Sequence, residues 1–80
     1  EDIDSEVVSR YAGTLPDSEF GTIRAIAALI RKERGISFDE LCAATGTEYA
    51  CTARLAGILE NDGLISIDLL QRCTINPKKY

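Results

Sequence analysis

The sequence predicts an α+β domain: a three-helix core closed by a two-stranded β hairpin, with a short extra helix at the N-terminus. Three observations carry this. Residues 18–34 hold a broad apolar stripe at helical spacing, and residues 35–65 read as two short helices on a tight turn. After Gly63 the pattern switches to alternation of period two, as a strand requires.

The elements follow in order. Asp4-Ser5-Glu6 opens a short helix with Ile3, Val7 and Tyr11 along one side, and Gly13 closes it. This piece, residues 1–17, reads as a helix that packs on the domain or forms the tail of a linker; the domain proper is residues 18–80. Leu15-Pro16-Asp17-Ser18 is a break, after which Asp17 or Ser18 is expected to cap a longer helix reaching about Arg34. Phe20, Ile23, Ala27 and Ile30, with Ile26 and Leu29 beside them, make its buried stripe. Arg31, Lys32 and Arg34 in the last turn complement the helix dipole, a better account of them than a nucleic-acid patch. Gly35 is the stop.

Ser37 followed three residues later by Glu40 is a capping box: the Ser37 side chain accepts from the Glu40 amide and Glu40 reaches back. The helix so opened, Phe38 to about Ala44, ends at Thr45-Gly46, where glycine supplies a left-handed turn residue. Thr47 is expected to cap the next helix, which runs to about Asn61 and stops at Gly63. Leu41, Leu55, Ile58, Leu59, Ile26 and Ile30 are expected to be buried together. Ile65 and Ile67 on one strand, and Cys73 and Ile75 on the next, turn to the core; Asp68-Leu69-Leu70-Gln71 between them lacks the Asn-Gly or Gly-Gly of a two-residue hairpin, which predicts a four-residue loop. Asn76-Pro77 ends the strand, and Lys78, Lys79 and Tyr80 read as a tail.

Phe38-Asp39-Glu40-Leu41, Thr45-Gly46, Leu55, Leu59 and Glu60-Asn61-Asp62-Gly63-Leu64-Ile65 together resemble the winged helix-turn-helix superfamily, over residues 18–77. The pattern is similar to transcription-regulator winged helices, to the C-terminal domains of DNA-processing proteins of natural transformation, and to the docking winged helix of the eukaryotic single-strand DNA-binding complex. The resemblance implies a winged helix-turn-helix with the hairpin as its wing, in a cytoplasmic, nuclear or nucleoid-associated protein that handles DNA or regulates transcription.

Composition bounds the function. Eighty residues form one small domain, burying about 60–65% of the unfolded surface, which holds a three-helix core and leaves no room for a deep catalytic cleft. Apolar content is 45% and charged content 28%, ordinary for a globular chain. No apolar run nears the ~18 residues that span a bilayer, and there is no basic-then-apolar leader, so no membrane partner is expected. The sequence opens at Glu1 without a methionine and reads as a piece of a longer protein. Cys42, Cys51 and Cys73 are widely spaced, with no C-x-x-C and no histidine, so the expectation is three reduced, buried thiols and no metal or other cofactor. No histidine base, glycine-rich phosphate loop or activated nucleophile is present, and Asp39 and Glu40, being adjacent on a helix, point apart, so no enzyme activity is expected.

DNA contact would come from the helix after Gly46, entering the major groove by its N-terminal part. Its outward positions are predicted to be Glu48, Tyr49, Ala50, Ala53, Arg54 and Gly57. Thr47, Tyr49 and Arg54, with Arg72 on the wing, are the candidate DNA contacts. Glu48 opposes a phosphate; it is better explained as a first-turn acid favoured by the helix dipole. The net charge of −4 points the same way, because non-specific DNA affinity is mostly phosphate neutralisation by Lys and Arg. Ala50, Ala53 and Gly57 form a small, flat face that another element can approach, and Leu69 and Leu70 stand at the wing turn, where they either fold back or meet a partner. The expectation is a non-catalytic module that docks a partner protein or pairs with itself through these five residues, with at most weak duplex contact and no small-molecule ligand; the alternative is a direct DNA-binding regulator.

Overall fold

A computed structural model of the chain describes residues 3–33 and 35–78; the expected helix end at Arg34 and the tail residues Lys79 and Tyr80 lie outside these. The elements run α1 (Ile3–Tyr11), α2 (Asp17–Lys32), β1 (Ile36–Ser37), α3 (Phe38–Thr45), α4 (Tyr49–Asn61), β2 (Ile65–Ile67) and β3 (Arg72–Ile75). The domain is α+β: four helices and a three-stranded antiparallel sheet of order β1-β3-β2.

The sheet has one strand more than the hairpin expected from sequence. Ile36 pairs with Cys73 and Ser37 with Arg72, so β1 lies on the far side of β3 from β2. Two residues are too short to carry a period-two signal. Cys73 is consequently the centre of the sheet, between Ile36 on one flank and Ile67 on the other.

Helix α2 is the hub, packing against α1, α3, α4 and β3. Its apolar stripe supplies Ile23, Ile26, Ala27 and Ile30 to the core, which Leu41, Leu55, Ala56, Leu59, Leu64 and Ile65 complete. Ile58, expected in that core, is only half-buried at its edge. Helix α1 belongs to the same core through Ile3, Val7 and Tyr11. The Tyr11 hydroxyl donates to Asp62 at the end of α4, tying the N-terminal helix to the far side of the domain.

Two of the expected caps move. Pro16 occupies the N-cap of α2 with extended backbone, and its carbonyl accepts from Phe20, so Asp17 and Ser18 are already helical. In α4, Glu48 remains extended (φ −62°, ψ 148°) and its carbonyl accepts from Thr52, which makes Glu48 rather than Thr47 the N-cap, without a side-chain cap bond. The capping box at Ser37 is present: the Glu40 amide donates to the Ser37 hydroxyl, which in turn donates to the Glu40 carboxylate, both at 3.2 Å. Gly46 closes α3 at φ 68°. After α4, the Gly63 N–H donates to Glu60 and the Leu64 N–H to Leu59, the paired bonds of a Schellman stop with glycine left-handed at φ 81°. Asn76 then pins the end of β3 to this turn, its amide side chain donating to the Gly63 carbonyl at 2.7 Å.

Candidate functional site

Of the residues singled out from sequence, Tyr49, Leu69, Leu70 and Arg72 lie where the β2–β3 turn meets the N-termini of α3 and α4, whereas Ala53, Arg54 and Gly57 lie farther along α4. The turn is built by its own residues. The Asp68 N–H donates to the Arg72 carbonyl and the Gln71 N–H to the Asp68 carbonyl, which narrows the expected four-residue loop to three, Leu69-Leu70-Gln71. Asp68 Oδ1 accepts from the backbone N–H of Leu70 at 2.9 Å and of Arg72 at 3.0 Å. Gln71 takes the left-handed conformation, φ 59°, that such a loop requires and that glycine or asparagine would fill with less strain.

Gln71 carries out a second task that glycine would not. Its side-chain carbonyl accepts from the Tyr49 hydroxyl at 2.8 Å, linking the turn to the first residue of α4. The Tyr49 ring meets Phe38 edge-on, with centroids 5.7 Å apart and planes at 74°. Phe38 is itself the first residue of α3, so the turn, α4 and α3 are held together through Gln71, Tyr49 and Phe38. On this frame Leu69 and Leu70 do not fold back: they are 102% and 77% exposed.

The candidate DNA contacts are differently disposed. Arg54 Nη2 is 2.6 Å from Glu19 Oε1 on α2, and that hydrogen bond raises the guanidinium pKa further above its ordinary value. Arg72 turns its guanidinium toward the Gly35 carbonyl at 3.4 Å. Tyr49 is partly exposed but bonded to Gln71, and Thr47 is half-buried. The Arg54–Glu19 ion pair is exposed and screened by solvent. A phosphate drawn to Arg54 would have to displace the carboxylate of Glu19.

The expected flat face of α4 is only partly present. Ala50 is exposed and a side chain at Gly57 would meet open space, but Ala53 is half-buried against the core that Thr52, Leu55, Ala56 and Leu59 line. The thiols also differ from expectation. Cys73 is fully buried, and burial pushes its pKa up to about 11, whereas Cys42 and Cys51 are half-buried. Thr52 is completely enclosed, and among the described residues its hydroxyl has no hydrogen-bond partner. Among the described residues no group of three or more His, Cys, Asp or Glu side chains is arranged to hold a metal ion, and no helix is long and apolar enough to cross a membrane.

Sequence reasoning missed Gln71 and Glu19 as site residues. A non-glycine residue at the left-handed position of a short hairpin leaves no periodic signal, and the Arg54–Glu19 contact joins residues far apart in the chain. Comparison of the chain with family models, with curated proteins and with solved structures gives no match.

Proposed function

We propose that this chain is a non-catalytic winged-helix module of a DNA-handling or transcription-related protein, and that it docks a partner protein through the end formed by the hairpin turn and the start of α4. One observation carries the reading: the two arginines suited to phosphate are engaged inside the chain, while two leucines stand fully out on a braced turn. Large exposed apolar side chains held on a rigid frame are what a docking surface presents before its partner arrives. The element order is also consistent with a winged helix, with α3 and α4 as its helix pair and β2–β3 as its wing. Direct duplex contact is at most weak in this reading, because phosphate neutralisation needs free Lys or Arg.

Fluorescence anisotropy with a labelled generic duplex near 0.1 M salt tests it. No saturable binding is expected at micromolar protein. Micromolar binding that disappears in Arg54→Ala would instead assign the α4 face to DNA.

A further inference from the structure

We propose that the partner segment received by the hairpin end is cationic and amphipathic: an apolar stripe that takes Leu69 and Leu70, edged by Lys or Arg. This rests on the docking reading above and adds the chemistry of the partner.

Leu69 and Leu70 are set within acidic surroundings. Asp68 opens the turn itself. Glu48 directly precedes Tyr49, whose hydroxyl holds Gln71. Asp39 follows Phe38, whose ring packs on Tyr49, and Glu40 is bonded to Ser37, the partner of Arg72 across the sheet. Glu60 accepts from the Ile67 N–H, one residue before Asp68. All five carboxylate residues are exposed. Among the described residues, the elements that bound the turn supply Arg72 as a counter-charge, and its guanidinium is turned toward Gly35. Arg54, farther along α4, is held by Glu19.

Charge complementarity therefore selects among the occupants an apolar tip could have. A second copy of this chain brings another −4 and the same acidic rim to the contact. An anionic bilayer or a duplex is repelled by the same carboxylates. A Lys- or Arg-edged apolar segment is attracted by them, and the exposed Tyr49 ring adds a surface on which a guanidinium can stack. The rim charges would steer association and choose the partner, and the leucines would hold it.

The test uses two synthetic helical peptides of one length, both with leucine at i, i+3, i+4 and i+7. One has lysine on the remaining face and its twin has glutamate at those positions. Titration of the chain is followed by peptide fluorescence anisotropy at about 0.05 and 0.2 M salt. The cationic peptide is expected to bind at least tenfold more tightly than its twin and to weaken with salt. The double variant Leu69→Ser/Leu70→Ser, with unchanged circular dichroism, should lose at least tenfold of that affinity, and Glu48→Lys a few-fold. Preference for the anionic peptide, or equal binding of both, would overturn the charge assignment while leaving docking at the leucines in place. Cationic binding that is indifferent to the Leu69→Ser/Leu70→Ser change would also overturn it, as diffuse charge attraction away from the tip. Failure of the docking reading shows separately, as duplex binding that is lost in Arg54→Ala.

Discussion

Thr52→Val should make this domain more stable, although it alters the middle of the core. Thr52 is completely enclosed on α4, its backbone N–H already serves the helix by donating to Glu48 at 2.9 Å, and its hydroxyl oxygen has no partner among the described residues. An unsatisfied buried hydroxyl carries a desolvation cost of ~1–3 kcal/mol. Valine replaces it with a methyl group of similar size, so no cavity opens, and burial of that methyl contributes roughly 0.8 kcal/mol. Against these gains stands the slightly larger methyl in a tight site, which leaves a net stabilisation of about 1–2 kcal/mol. Urea unfolding followed by circular dichroism is the assay. With a slope near ~1 kcal/mol/M for a domain this small, the midpoint should rise by about 1–2 M at unchanged slope. Thr52→Ser keeps the hydroxyl, removes the methyl and should lower stability by about 1 kcal/mol. A Thr52→Val variant less stable than wild type by more than about 0.5 kcal/mol would show that the hydroxyl is bonded in the native state and would refute the reasoning.

Other perturbations probe the core and its ionisable groups. Leu55→Ala empties a fully buried position facing α2 and should cost roughly 2–5 kcal/mol, enough to leave much of so small a domain unfolded; a loss under about 1 kcal/mol would mean that α4 is turned otherwise. Burial raises the Cys73 pKa from 9.0 to about 11, so the stability it contributes is complete below pH 9 and is lost as pH rises through 11, on the order of 2 kcal/mol in total. Tyr11, raised above its ordinary value by burial and by its bond to Asp62, adds to the same alkaline loss, so Cys73→Ala and Tyr11→Phe should each flatten the stability profile above pH 9 in urea titrations. Under native conditions a thiol reagent should modify Cys42 and Cys51 well before Cys73; labelling of Cys73 at the rate of the other two would place it outside the sheet interior.

Much of this fold was legible because its signals are local. The Ser37–Glu40 box, the left-handed Gly46 and Gly63, and the stripe from Ile23 to Ile30 each act within a few residues, and each is found where its chemistry puts it. What the sequence concealed depends on distant residues. β1 exists because Ile36 and Ser37 have Cys73 and Arg72 to pair with, and no pattern within two residues reports that. Thr47 resembles a cap, but the chain stays extended through Glu48 before α4 can begin. On α4 the position of Gly57 does face open space, but Ala53 packs against the core edge, a contact made by partners distant in the chain. At the site, the sequence leaves Leu69 and Leu70 either folded back or exposed, and neither that choice nor the brace beneath them is legible in it. That brace passes from Gln71 to Tyr49 to Phe38, three residues joined only by folding.

On the proposed docking reading, the α4 face and the hairpin make at most weak contact with DNA. The most direct test is the salt dependence of duplex affinity for wild type and Glu48→Lys, the variant that removes the repelling acid at the start of α4 and adds a cation. Wild type is expected to show no saturable binding near 0.1 M salt, where charges more than ~10 Å apart are largely screened, and Glu48→Lys to gain little. Saturable binding by Glu48→Lys, with a plot of log affinity against log salt steeper by about one unit and loss of binding on adding Arg54→Ala, would contradict that reading and place phosphate against this face.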